Sequence, residues 1–354
     1  MRRSTSVIRM KSALFREREV ALQRGLHYLS SMALFDEEMA PFCSGFLYCC
    51  SFMATTASDP VLRRATRELA TRGFRQWQEA NPTLPAEADA STLNDFVHCH
   101  FAAQRLGIRF PKLKRRMCEI AEALPVEELL WFDPRTEPPP ANVPENCGCG
   151  TASPRGRRKC VNPACRTALT CMTRLRAWCL TLTTAFCGDR LGVRLGASYA
   201  DALRWLPEMR RERWKDTRGF YDAVYAVTHV VYTLNDYGLH RLSPHWLPYE
   251  WEFLRHHLAD AIALEDPDMV GEFLDTLRSF GLSEDDAALR EGMEFLLACQ
   301  QLDGSWGPPD AHGYVRLHAT WAAMDGLRGF AWRGEGLSFP ELLPSLITWA
   351  RIQY

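Results

Sequence analysis

The chain has 354 residues, 42 of them basic and 43 acidic, which gives a formal net charge of -1 at neutral pH. This balance excludes binding of nucleic acid or of an anionic membrane surface through overall charge. The length and composition are those of a globular protein with a substantial core, folded as one large domain or two modest ones.

Apolar runs and cysteines constrain where such a chain resides. The longest apolar run, Phe42 to Ala54, is shorter than the roughly 20 residues that a membrane helix needs. We therefore predict no transmembrane span. The first fifteen residues are basic but lack the apolar segment of a secretory signal, so we interpret them as the lead-in to a first helix. Without such a signal, the 13 cysteines predict reduced thiols and a cytoplasmic location.

The hydrophobic pattern is helical along most of the chain. From Ser12 to Gln104 apolar residues recur at helical spacing, with breaks marked by Pro and Gly. After Phe132 the sequence becomes rich in Pro, Gly, Asn and Arg, which is typical of an irregular loop. Helical spacing returns at Thr170 and continues to Tyr354. We predict an all-α protein with an N-terminal helical part (1–132), a loop insertion (133–169) and a C-terminal helical part (170–354).

One motif resembles the repeat of squalene and hopene cyclases. The stretch "GMEFLLACQQLDGSW", Gly292 to Trp306, has the Gly, the aromatic-Leu pair, the Gln and the final Gly-Ser-Trp of that repeat, although Glu291 stands where a base is usual. A degenerate copy, "RGLHYLSSMA", spans Arg24 to Ala33, with Ala33 in place of the Gln. The resemblance implies an α/α toroid, in which an outer ring of helices surrounds an inner ring.

A second motif resembles the β-subunit of protein prenyltransferases, which has the same toroidal fold. In "LHATWAAMDGL" a His begins an inner helix, an aromatic residue follows three positions later, and Gly-Leu comes after. The chain departs from that family at two positions: Leu317 stands where the family has the Tyr before the His, and Asp325 stands where it has the small residue before Gly-Leu. The matching His of the family binds zinc, so the resemblance implies a metal at His318.

The same spacing occurs eighty-nine residues earlier, in "HVVYTLNDYG". Both copies begin with His (His229, His318), have an aromatic residue three positions later (Tyr232, Trp321), and have Asp seven positions later (Asp236, Asp325). A weaker copy has His98 followed by Phe101, with His100 as an alternative to His98 because adjacent helical residues face different directions. Equivalent positions on the inner helices of a toroid face one central cavity.

We therefore predict a three-histidine metal site of His98, His229 and His318, with copper, iron or zinc as the ion. The Asp residues cannot join the same ion, because seven helical residues span about 10.5 Å. We expect Asp236, Asp325, Tyr232 and Trp321 to line the cavity and contribute to catalysis. The alternative is that each histidine is an ordinary core residue with a hydrogen-bonded ring.

The insertion contains four closely spaced cysteines, Cys147, Cys149, Cys160 and Cys165. Four thiolates in a loop without its own hydrophobic core are the usual ligands of a structural zinc ion. We predict that they bind zinc and perform no chemistry; the alternative is unpaired surface thiols. The basic run between them lacks the aromatic residues of a nucleic-acid platform.

These features favour a metal-dependent enzyme that acts on a small or medium substrate, or a peptide, in the cavity. An all-histidine site leaves open positions for oxygen, which favours oxidation slightly over hydrolysis or transfer. One alternative is terpene or prenyl chemistry, although the chain has neither DxDD nor DDxxD and lacks an evident Asp and Cys pair before His318. Another is a non-catalytic helical scaffold whose zinc loop binds a partner protein.

Overall fold

The computed structural model describes residues 2–32, 43–141, 143–144, 153, 157–311 and 313–353. Their regular structure is almost entirely helical, which confirms the all-α prediction. None of the described helices combines the length and the apolar character that crossing a bilayer requires. The helices are α1 (Arg2–Met32), α2 (Cys43–Thr56), α3 (Pro60–Ala80), α4 (Ala90–Arg105), α5 (Pro111–Ala123), α6 (Val126–Leu130), α7 (Arg174–Leu191), α8 (Tyr199–Leu203), α9 (Leu206–Met209), α10 (Thr217–Leu234), α11 (Pro248–Ala263), α12 (Pro267–Ser279), α13 (Ala287–Cys299), α14 (Gly313–Leu327) and α15 (Leu343–Trp349).

Several of these helices begin at clear local signals. The side chain of Asp59 accepts a hydrogen bond from the Val61 N–H, and Pro60 is the first residue of α3. Asp266 caps the first N–H groups of α12 in the same way, with Pro267 following it. A carboxylate satisfies N–H groups that have no partner within the helix, and proline there removes one such group. The sequence thus fixes the start of α12, the helix that carries the candidate site.

The chain divides into two compact units. The first contains Met1–Pro82, Ala102–Arg109 and Leu234–Ala350, and the second contains Thr83–Phe101, Phe110–Thr233 and Arg351–Tyr354. The predicted insertion, residues 133–169, lies within the second unit. A toroidal arrangement of the helices stays a prediction.

The first unit is built around α12 and α14. Every residue of α12 except Asp268 is buried. The helices α11 and α13 pack beside α12. α14 packs against α12 most closely, with α1 and α2 as further neighbours. A Cβ atom at Gly271 would overlap the carbonyl group of Ala322 on α14, and one at Gly326 would lie 3.0 Å from the Gly271 Cα. Only glycine allows the two backbones to approach this closely.

The cyclase-like motif connects α1 with α13. The Gln300 side chain, directly after α13, donates to the carbonyl oxygens of Ala21 on α1 (2.8 Å) and Gly304 (2.9 Å). Trp306 is fully buried, and its indole N–H donates to the Leu296 carbonyl at 2.7 Å. The Gln of the motif therefore holds the turn after α13 against the N-terminal helix, and the Trp holds the same turn against α13.

The second unit has α7 at its centre, packed against α6 and α8. Phe186 on α7 contacts the rings of Phe101 and Tyr199 edge to face, at 5.6 and 5.7 Å between centroids. The buried Tyr199 hydroxyl lies 2.9 Å from Thr233 Oγ1. Between α6 and α7 the described residues form turns and two short antiparallel strands, β1 (Val143–Pro144) and β2 (Cys171–Met172).

Candidate metal centre

Three metal-ligating side chains meet where α12 and α14 cross. Asp268 lies in the first turn of α12, Glu272 one turn later, and His318 on α14. One ligand atom from each lies within 4.8 Å of the other two, and no other such group occurs among the residues that the structure describes. His318 Nδ1 lies 2.8 Å from Asp268 Oδ1. Glu272 is buried, and the other two side chains are 16 and 19% exposed. The arrangement offers two carboxylates and one imidazole to a single ion.

Helix geometry and close packing together produce this group. Residues four apart lie on the same face of a helix, which aligns Asp268 with Glu272. Gly271, between them, lets α14 approach until His318 lies within 4.8 Å of both carboxylates.

Charge at the site favours a cation. Burial is the largest single influence on the pKa of His318 and lowers it. The charge of Asp268 opposes burial most strongly, Tyr314 and the hydrogen bond to Asp268 add to this, and Glu272 contributes as well. The net result is a pKa well above the usual value. The two carboxylates therefore stabilise positive charge at this position, whether a proton or a metal ion.

Aromatic rings enclose the imidazole of His318. The Tyr314 ring, one turn earlier, lies 5.4 Å away between centroids, and the Trp321 ring, one turn later, lies at 5.5 Å. Trp321 also contacts Tyr48 (6.4 Å) and Phe52 (5.9 Å) on α2. The residue three positions after the His is thus part of an aromatic surface beside the site.

Each Asp seven residues after a repeat His forms a buried ion pair with an arginine. Asp236 accepts from Arg105 at 2.5 Å, and Asp325 accepts from Arg328. Asp325 also accepts from the Trp321 indole N–H at 2.6 Å. Their contribution to catalysis stays a prediction, and in the structure each carboxylate anchors an arginine side chain.

The other histidines of the predicted site belong to the second unit. His229 donates from its Nδ1–H to the Tyr225 carbonyl oxygen, 2.8 Å away. The Tyr232 ring packs against it at 5.5 Å. Burial lowers the pKa of His98 to about 4. The ring of His100 is buried, with Nδ1 2.7 Å from the Phe96 carbonyl. His318 lies in the first unit, so the three-histidine site stays a prediction.

Sequence reasoning missed Asp268 and Glu272. The signal for them was the spacing of four residues in "DPDMVGEF", directly after a proline helix start. That spacing is common on exposed helix faces, and only the approach of α14 distinguishes this pair from a solvated one.

The described cysteines of the insertion lie at the two ends of a tight turn. The backbone N–H of Cys160 donates to the Thr167 carbonyl at 2.9 Å, and that of Asn162 donates to the Cys160 sulfur at 3.4 Å. Cys165 Sγ lies 3.0 Å from Thr167 Oγ1. The remaining predicted ligands, Cys147 and Cys149, lie outside the described residues. The four-cysteine zinc site therefore stays a prediction.

A buried carboxyl group lies just beyond the candidate centre. Asp275, one turn after Glu272 on α12, is 5% exposed, and no described group donates a hydrogen bond to its Oδ1. Burial and then the charge of Asp325 raise the pKa of Asp275 well above its usual value, with Arg328 opposing and Glu272 adding to the increase.

We expect Asp275→Asn to stabilise the metal-free protein at neutral pH and to lose this advantage towards pH of about 4. A raised folded-state pKa means that the stability contribution of Asp275 is complete below its unfolded pKa and is lost as pH rises through the folded pKa. Asparagine does not ionise and escapes that loss. Urea unfolding between about pH 4 and about pH 8 measures the difference, at about 1.4 kcal/mol for each unit of pKa shift. The exposed Asp260→Asn variant is the control. A difference from wild type that does not change with pH would contradict this expectation.

No protein-family model and no curated protein matches this chain. Functional inference therefore depends on the side chains of the site.

Proposed function

We propose that this protein is a metal-dependent enzyme whose ion is bound by Asp268, Glu272 and His318. The observation that carries the proposal is the convergence of three ligand atoms within 4.8 Å at the crossing of two tightly packed helices. Three protein ligands leave further coordination positions open, as catalytic metal sites generally do. Because α12 and α14 are packed backbone to backbone, the ligands are held on rigid elements.

The ligand types narrow the choice of ion. Imidazole suits zinc and iron, and carboxylates are ligands to both in mixed sites. Zinc would polarise a substrate oxygen or activate water, for hydrolysis or transfer, and iron would support oxidation. The all-histidine argument for oxidation does not apply to this ligand set, so we propose that the identity of the ion decides the reaction class. The substrate that we propose is a small or medium organic molecule.

A transferase reaction is the second candidate. The prenyltransferase resemblance implied zinc at His318, although the sequence has no evident Asp and Cys pair before that histidine. Asp268 and Glu272 supply carboxylates at that position. This convergence of motif and geometry favours transferase chemistry over cyclisation.

The decisive experiment is metal analysis of the purified protein and its variants. We expect His318→Ala and Glu272→Gln each to weaken binding of Zn²⁺ or Fe²⁺ by more than about 100-fold, because losing a ligand costs more than losing a group that supports one. His257→Ala is the matched control, since His257 Nδ1 also lies 2.7 Å from a carboxylate, that of Asp260, but outside any such group of three. If His318→Ala and Glu272→Gln keep the wild-type metal content, the proposed centre is wrong.

We also propose a structural zinc ion at Cys147, Cys149, Cys160 and Cys165. Wild-type protein should then contain more than one ion per chain. Thiol-blocking reagents should release the zinc bound by cysteines and leave the ion at His318 in place. A single ion, released completely by such reagents, would instead favour the scaffold that binds a partner through its zinc loop.

A further inference from the structure

The ring that contacts His318 is itself fixed by a buried chain of polar contacts. Trp321 packs against the imidazole at 65° between ring planes. Its indole N–H donates to Asp325 Oδ2 at 2.6 Å, and Asp325 Oδ1 accepts from Arg328 Nε. Arg328 in turn donates from Nη2 to Thr56 Oγ1 at 3.0 Å. Each link is buried or nearly so, and the chain runs from α2 to the candidate metal ligand.

This ion pair does more than stabilise a core. Arg328 is 1% exposed, and its guanidinium lies 3.8 Å from the centroid of the Phe330 ring. Removing two charges from water costs free energy that their attraction only partly returns, so an apolar pair of similar volume is often at least as stable. The charged pair instead fixes the orientation of the Asp325 carboxylate. One carboxylate oxygen engages the arginine, and the other is left to accept from the indole.

We propose that Asp325 is a positioning residue of the metal centre, acting through Trp321 on His318. The inference rests on the proposed function. The Asp325 carboxylate holds the indole at one angle, and the indole and the Tyr314 ring together restrict rotation of the imidazole. The Nδ1 atom of His318 thereby stays directed at Asp268. A ligand held in place loses less rotational freedom when an ion binds, which increases affinity.

The test compares Asp325→Asn and Trp321→Phe, using Co²⁺ as the probe for affinity and, through its visible spectrum, for coordination geometry. In Asp325→Asn the amide oxygen is expected to turn to the charged Arg328, so that the indole N–H faces an amide NH₂ group. In Trp321→Phe the ring has no N–H. We expect each variant to bind Co²⁺ about 10- to 100-fold more weakly, with an altered spectrum. The double variant should bind no more weakly than the weaker single variant, because both changes act through one chain of contacts.

Asp133→Asn is the matched control. It weakens the ion pair of a carboxylate that is 8% exposed, with Arg135, in the second unit, away from the residues that contact Trp321. It should reduce stability and leave Co²⁺ affinity unchanged. If Asp325→Asn and Trp321→Phe lower stability but retain the wild-type affinity and spectrum, Asp325 has a structural role only and the inference is overturned. If wild-type protein binds no Co²⁺ that depends on His318, the proposed function fails, and the inference fails with it.

Discussion

Replacing Gly271 with alanine is expected to destabilise the protein by more than about 3 kcal/mol, at the upper end of overpacking costs. A Cβ atom at this position would overlap the backbone carbonyl group of Ala322. A side chain can rotate away from a new methyl group, but a backbone carbonyl inside a helix cannot. α12 and α14 would have to separate, and the core between them would open.

The sign of the change in unfolding free energy distinguishes close helix packing at Gly271 from an ordinary helix position. In an unhindered helix, Gly→Ala stabilises by about 1 kcal/mol, because alanine is the better helix former. Urea unfolding monitored by circular dichroism measures the change. Gly281→Ala is the control, since a Cβ there meets open space and only the positive φ of +96° opposes it. We also expect Gly271→Ala to lose the ion at His318, because helix separation sets the distances between the ligands. A variant as stable as wild type would contradict the close approach of α12 and α14.

Replacing Arg105 with methionine is expected to cost about 3 to 5 kcal/mol, the usual effect of leaving a buried charge unpaired. Arg105 Nη1 lies 2.5 Å from Asp236 Oδ1, and the two side chains are 9 and 3% exposed. Asp236 and Tyr237 both have positive φ angles, 55° and 51°, which non-glycine residues rarely adopt. The Tyr237 ring stacks on Phe52 at 4.2 Å. The arginine therefore holds the strained turn at Asp236 and, with that turn, the position of the Tyr237 ring.

Unfolding free energies of a small set of variants test this explanation. Arg105→Met combined with Asp236→Asn should be more stable than Arg105→Met alone, because the asparagine removes the uncompensated charge and tolerates a positive φ. Arg116→Met, at an exposed pair with Glu119, should change stability by less than about 0.5 kcal/mol. If Arg105→Met lowers the unfolding free energy no more than Arg116→Met does, the ion pair with Arg105 does not stabilise the Asp236 carboxylate, and the explanation is wrong.

The repeated spacing in the sequence had two different structural origins. The His and the aromatic residue three positions later do pack together, at 5.5 Å in both copies, because one helical turn brings them onto the same face. The Asp seven residues later was expected to line a cavity. That expectation stays a prediction. Asp236 pairs with Arg105, 131 residues earlier in the chain, and no local pattern indicates that arginine, whereas Asp325 pairs with Arg328, only three residues later.

The sequence by itself determined the helical class and helix starts such as those of α3 and α12. These depend on hydrophobic spacing, on caps such as Asp266 and on proline, all of which act over a few neighbouring residues. The sequence indicated His318 as a metal ligand, but only the tertiary structure joins it to Asp268 and Glu272 in the candidate metal centre. His318 stands forty-six residues after Glu272, and its approach to within 4.8 Å of both carboxylates requires two helices to meet at Gly271 and Gly326. Contact across such a distance follows from how whole helices pack, a cooperative property of the folded core that residue spacing does not encode.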